Sequence, residues 1–360
     1  MSTLAPRWAT RTRGRCRDPR GGKLEATERA ALGPLGFACT ARNAGFARSP
    51  SVVAHAVNDP SLPKLVTVGS VNFDSIPRDK TATLEKILDF VRDASHQGCD
   101  LVVFPELALN AWGECEECSA EGRPCGWHLE QAELIPGPAT EIVGSLAREL
   151  DIHVIFGMEE RDPYDAGTLY NSAVLIAPEG VVGAYRKIHL GIPLETDRFT
   201  PGDRVPVFET RLGAIGISIC YDFYNNPELS RILALKGARI LVNPTGSSDL
   251  PGKGPMITYT TLVRAQENLV YVVSSNRVGE QGGARWAGNS VIGGPAFPGF
   301  GKTLAEAGRE EGMIVATLNF DQLAAWYDWL PWREWRLGAQ RYATDIIARE
   351  FSEIADKAGR

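Results

Sequence analysis

Glu106, Lys187 and Cys220 are residues whose types and settings could together do chemistry. Glu106 closes Phe104-Pro105-Glu106, Lys187 sits in Tyr185-Arg186-Lys187-Ile188-His189-Leu190, and Cys220 in Ile219-Cys220-Tyr221-Asp222. Each segment follows a β-branched apolar run that reads as a strand, so a carboxylate, an ammonium and a thiol would all emerge at strand ends. A thiol needs a base to become a nucleophile, and the oxyanion formed by its attack needs a positive group. Glu and Lys supply both without a metal or a histidine.

The local settings fit these roles. Pro105 holds Phe104 extended and puts the Glu106 carboxylate just beyond the sheet edge. Cys220 lies between a strand over 214–220 and the helix start Asn225-Asn226-Pro227-Glu228, where the positive helix end favours thiolate. Position alone also admits a buried structural cysteine. His189, two residues beyond Lys187, would face the same way and suits a supporting role better than that of a base. Neither a Gly-x-Ser-x-Gly elbow, nor a Walker loop, nor a dinucleotide fingerprint occurs in a strand-to-helix context, which counts against serine hydrolases, nucleotide hydrolases and dehydrogenases.

The elements that must position these residues alternate from Leu65 onward. Strands are expected at 66–73, 101–104 and 154–157, then a hairpin of 170–176 and 181–187 around Pro178-Glu179-Gly180. Further strands are expected at 207–209, 214–220, 240–242 and 270–275. Helices are expected at 81–96, with Leu84, Ile87, Leu88 and Val91 on one face, and at 139–150, 229–236 and 257–268. Fully apolar strands beside one-faced helices imply an α/β fold in which helices cover a sheet, and the hairpin makes that sheet mixed.

The Glu, Lys and Cys segments, in this order and with these neighbours, resemble the nitrilase or carbon–nitrogen hydrolase superfamily over about 65–342. The resemblance implies a four-layer αββα sandwich of two mixed sheets with helices outside. It also implies a general base at Glu106, an oxyanion partner at Lys187 aided by the Tyr221 N–H, and a thioester on Cys220. Glu195, before Phe199-Thr-Pro-Gly-Asp, matches a second glutamate that positions substrate or holds the lysine. Trp112, Tyr170, Asn171, Tyr221, Thr245 and Trp286 match or flank pocket positions in related enzymes, although core packing would also account for any single aromatic. Tyr221-Asp222, in place of the Trp-Glu of true nitrilases, implies a small-molecule amide or carbamoyl substrate over a nitrile. Acyl transfer from the same thioester, or a binding protein that kept the fold, are the alternatives. The resemblance calls for no cofactor, and together with the aromatic run at 326–335 it implies a homo-oligomer.

One loop departs from the family pattern. Cys115, Cys118, Cys125 and His128, spaced Cys-x2-Cys-x6-Cys-x2-His, could supply three thiolates and an imidazole to a closed structural zinc site; free or packed cysteines are the alternative.

Charge sets the outer boundaries. Residues 1–62 carry nine Arg and one Lys against four acidic residues, about +6, which leaves about −12 for the remainder. They read as a disordered Arg-rich extension, either a transit segment or an over-long start, followed by the hydrolase domain at 63–342 and a C-terminal helix or tail at 343–360. An acidic body repels nucleic acid. No apolar run reaches the ~18 residues of a membrane helix, and seven cysteines, an odd number, fit a reduced cytoplasmic chain better than a secreted disulfide scaffold.

Overall fold

Apolar runs from Leu65 onward build two six-stranded sheets that face each other. The computed structural model describes residues 59–112, 115–281 and 283–358. The expected N-terminal extension therefore lies outside the described residues, apart from 59–62. In chain order the elements are β1 (Leu65–Asn72), α1 (Lys80–His96), β2 (Leu101–Val103), α2 (Glu116–Glu121), α3 (Gly126–Gln131), α4 (Pro138–Leu150), β3 (His153–Arg161), β4 (Leu169–Ala177), β5 (Gly180–Arg186), α5 (Pro193–Thr196), β6 (Val207–Phe208) and β7 (Ile215–Ile217). There follow α6 (Tyr221–Tyr224), α7 (Pro227–Leu235), β8 (Ile240–Thr245), α8 (Lys253–Asn268), β9 (Tyr271–Asn276), β10 (Glu280–Gln281), β11 (Ala284–Arg285), β12 (Val291–Pro295), β13 (Gly301–Glu306), β14 (Gly312–Asn319), α9 (Phe320–Trp329) and α10 (Trp332–Ala358).

One sheet runs β14-β1-β2-β3-β4-β5 and the other β13-β12-β9-β8-β7-β6. Both are mixed: β1, β2 and β3 run parallel, as do β7, β8 and β9, while the flanking pairs are antiparallel. Val68, Val103, Ile155 and Leu175 of the first sheet interdigitate with Ile217, Val242, Val273 and Ile292 of the second. Each such side chain contributes roughly 1.5–3 kcal/mol by leaving water. The outer face of the first sheet packs on α1 and α4 through Val102, Phe104, Val154 and Phe156; Leu241 and Val272 do the same for the second sheet against α7 and α8. The four-layer αββα expectation is met.

Helix starts follow local chemistry. The Asp79 carboxylate accepts from the Ala82 N–H at 2.9 Å and caps α1, whose Thr83, Ile87, Val91 and Ala94 form the buried stripe. Pro138 opens α4, where a missing N–H costs nothing. Three strands at 291–319 were not expected from the sequence. Gly293, Gly294 and Gly301 break the apolar alternation there, yet β14 pairs with β1 over eight residues, from Leu65 opposite Asn319 to Asn72 opposite Gly312. The helix α10 runs unbroken across 342–343, where a boundary was expected.

Candidate active site

Glu106, Lys187 and Glu195 meet in one buried network at the strand ends. The Lys187 ammonium donates to Glu106 Oε1 at 2.7 Å and to Glu195 Oε1 at 2.5 Å, and all three residues are at most 2 % exposed. Asn171 Nδ2 donates to the same two oxygens at 2.8 and 3.3 Å. The Gly246 N–H reaches Glu106 Oε2 at 2.9 Å, and the Gly191 N–H reaches Glu195 Oε2 at 2.8 Å. Lys187 is thus a buried cation enclosed by carboxylates, although Arg186 and His189 flank it in the sequence.

The Glu106 turn is fixed from two sides. Arg277, fully buried, donates through Nη1 to the carbonyls of Glu106 and Leu107 at 2.9 and 3.0 Å. Behind it, the turn lies so close to β3 that a Cβ on Gly157 would meet Leu107 N at 2.3 Å and Pro105 O at 2.6 Å. Leu107 takes φ +49° as the chain turns away.

Cys220 follows β7 at φ +45°, ψ −103°, a strained conformation for a residue with a side chain. Its N–H is held by both Pro244 O and Asn243 Oδ1 at 3.0 Å. Tyr221 opens α6, so its N–H has no intrahelical partner. Asn226 opens the next helix but does not cap it; its Nδ2 donates to Tyr221 O at 3.1 Å. The expectation of a thiolate favoured by a helix end is corrected. Burial first, and the charge of Glu106 second, push the Cys220 thiol up to about 12, with Lys187 and Thr245 pulling the other way. Lys187 carries the opposite balance: burial pushes it down, but Glu106, Cys220 and Glu195 outweigh this and hold it above the ordinary lysine range. Burial also raises Glu195 above the usual carboxylate range, against the pull of Lys187.

Asp222 ties the Cys220 turn to the Lys187 strand. Its buried carboxylate accepts from Tyr185 OH at 2.6 Å, from the N–H groups of Ile188 and His189 at 3.0 and 2.8 Å, and from His189 Nδ1 at 2.7 Å. His189 is therefore a support of this tie. Trp112 and Trp286, edge to face at 6.0 Å, join Leu107, Leu169 and Phe199 in an apolar wall. Thr245 is buried with its hydroxyl 3.2 Å from Ser247 Oγ, and the Tyr221 ring is exposed. Tyr170 lies apart from the network. It takes the opposite face of β4 from Asn171, with its hydroxyl 3.0 Å from Asp162 and the Arg186 guanidinium 3.7 Å over its ring.

Arg277, Asp222, Asn243 and Gly246 were not singled out from the sequence. Asp222 lay inside a quoted motif, so its place beside the thiol was visible although its partners were not. The expected metal ligands do converge: one ligand atom from each of Cys115, Cys118, Cys125 and His128 lies within 4.8 Å of the others.

Residues 67–328 match the carbon–nitrogen hydrolase family. The chain belongs to that family. It is 37% identical over 247 residues to an (R)-stereoselective amidase of a Pseudomonas species, covering 67% of this chain and 82% of the relative. A nitrilase of Pyrococcus abyssi is 34% identical over 233 residues, covering 64% and 82%. Among solved structures, a mutant of the amidase from Nesterenkonia sp. AN1, showing covalent addition of the acetamide moiety of fluoroacetamide at its active-site cysteine, matches with a TM-score of 0.60 and 25% identity, covering 74% of this chain and 97% of that one. This carbon–nitrogen hydrolase is thus an enzyme acting on carbon–nitrogen bonds other than peptide bonds.

Proposed function

We propose that this enzyme hydrolyses a small amide or N-carbamoyl compound through a thioester on Cys220, with Glu106 as base and Lys187 as oxyanion partner. The observation that carries the reading is the Glu106 carboxylate, buried and held by Lys187, Asn171 and the Gly246 N–H. A thiol held protonated near neutral pH needs its proton removed as it attacks, and Glu106 is the carboxylate whose charge the thiol feels most. Sγ bonds to the carbonyl carbon while Glu106 takes the thiol proton. The oxygen gains the charge, opposite the Lys187 ammonium and the Tyr221 N–H. Glu106 returns the proton to the leaving nitrogen, ammonia or amine departs, and water deprotonated by Glu106 cleaves the thioester to acid and thiol. Because Lys187 is held above its ordinary range, it stays charged throughout and acts as a fixed positive group, with Glu195 anchoring it. Asn171 Oδ1, buried and with no hydrogen-bond partner among the described residues, is available to accept an amide N–H.

Ammonia release from short amides, N-carbamoyl amino acids and nitriles tests the reading, with intact-mass detection of an acyl adduct. Turnover of amides or carbamoyl compounds with a Cys220-borne adduct is expected, and Cys220→Ala abolishes both. Turnover that survives the substitution removes Cys220 as nucleophile, and preference for nitriles overturns the substrate class. The expected homo-oligomer is supported by α10, which leaves Trp335, Tyr342, Ile346 and Phe351 exposed. Sedimentation should give more than one copy, and Ile346→Glu with Phe351→Glu should shift it toward the monomer; a wild-type monomer sinks the idea.

A further inference from the structure

We propose that Cys115, Cys118, Cys125 and His128 form a closed, structural zinc site that builds the loop beside the active-site wall. The distances have the size of a coordination shell. Cys115 Sγ and Cys125 Sγ are 3.7 Å apart. A disulfide needs about 2.05 Å, whereas a zinc tetrahedron with Zn–S of about 2.3 Å has edges of about 3.8 Å. The other ligand atoms lie within the same 4.8 Å envelope.

The loop is anchored at its far end, where Leu129 and Ala132 join the Trp112 cluster and Lys80 Nζ donates to Gln131 O at 2.8 Å, but its short helices need a centre of their own. Both α2 and α3 are six-residue helices, too short to be stable by themselves. The buried residue of α2 is Cys118 and that of α3 is His128. Cys115 and Cys125 stand at their N-caps, so each helix start presents a pair at i and i+3, and the two pairs converge. The buried side chains of the two short helices are therefore members of the ligand set. Backbone N–H groups already point at the sulfurs, from Cys118 to Cys115 Sγ at 3.4 Å and from Cys125 to Cys118 Sγ at 3.2 Å, which suits thiolates.

The imidazole is oriented as a ligand. His128 Nδ1 lies 2.9 and 3.0 Å from the two oxygens of Glu159, which is fully buried, so Nδ1 donates and Nε2 is left for the metal. Three thiolates and one imidazole select zinc by softness and tetrahedral geometry. Four protein ligands leave no open position, so the ion carries no chemistry.

Its effect reaches the active site through Glu159. That residue pairs across the sheet with Asn171, and its Oε1 lies 3.4 Å from Arg198 Nη1. Arg198 in turn donates its N–H to Glu195 O at 3.1 Å. Metal, His128, Glu159, Arg198 and Glu195 thus form one connected path that ends on the backbone of Glu195, the residue whose side chain anchors Lys187.

Elemental analysis of the full chain purified without chelator should give about one zinc per chain, and well under a tenth of that after Cys118→Ser or His128→Ala. Since those variants could unfold, the wild type supplies an independent readout. Chelation under reducing conditions should lower its melting temperature, and added Co2+ should restore it with the visible bands of a tetrahedral thiolate site. Glu159→Gln keeps every ligand and should weaken metal affinity roughly 10–100-fold. A metal-free native protein that gives no Co2+ bands, a mapped Cys115–Cys125 disulfide in that protein, or bound iron in place of zinc would each overturn the assignment.

Discussion

At the scale of the residue, Lys187 does two things that one substitution separates from nucleophilic chemistry. It supplies the positive charge proposed to meet the oxyanion, and it neutralises two buried carboxylates that it touches at 2.7 and 2.5 Å. Lys187→Met should lower kcat by about 10²–10³ or more, and should also cost about 3–5 kcal/mol of stability, because Glu106 and Glu195 are left facing each other. Removing Lys187 removes what lowers Glu195, so its carboxyl rises further and the folded state must bury a second charge as pH climbs. The destabilisation should grow with pH and shrink in acid. Urea unfolding of Lys187→Met beside Cys220→Ala, which should lose activity with little change in midpoint, checks this; equal midpoints would show that Lys187 carries no structural charge balance.

At the scale of the element, the site depends on whether the β5 end and the Cys220 turn stay in register, and Asp222 is the tie between them. Its four accepted hydrogen bonds include two from the backbone just after Lys187. Asp222→Ala leaves those part-buried donors without their acceptor, at a cost of about 1–3 kcal/mol. It should also cut kcat more than it raises KM, because the ammonium and the thiol lose their common anchor; an unchanged unfolding midpoint would refute the tie. This level is also where sequence reading met its boundary. Strands at 65–72, 101–103 and 169–177 were legible because local alternation and β-branched content suffice to specify them. That Glu106, Lys187 and Cys220 belong together is an expectation carried by their resemblance to a family, since nothing local links residues so far apart in the chain. Arg277 under the Glu106 turn, and Gly157 behind it, arise only from the register of distant segments. Tyr170 and Asn171 offered a usable signal. Neighbours on a strand face opposite sides, so one of the two had to lie away from the network, and the polar Asn171 is the one that joins it.

At the scale of the molecule, the two sheets bury not only apolar side chains but also groups that prefer to be charged, and this sets how the protein meets acid. His153, at the start of β3 opposite Leu101 of β2, is fully buried, and its Nδ1 lies 3.1 Å from Asp100 O. Since a carbonyl only accepts, Nδ1 carries the proton of a neutral ring. Burial, with Arg211 adding to it, holds the imidazole below its ordinary range, against the opposing pull of Asp100 and Glu179. A group depressed in the folded state contributes stability above its unfolded value, near 6.5 for an imidazole, and loses it as pH falls toward the folded value. In that window the unfolded chain takes a proton that the native chain refuses. Global stability should fall by up to about 1.4 kcal/mol per pH unit on this account as pH drops below about 6.5. His153→Gln, which keeps a donor for Asp100 O but cannot titrate, should be less stable at pH 7.5 yet lose less on acidification. Urea unfolding of both proteins at half-unit steps checks the difference in slope, and parallel curves would place the acid sensitivity in other groups than this one.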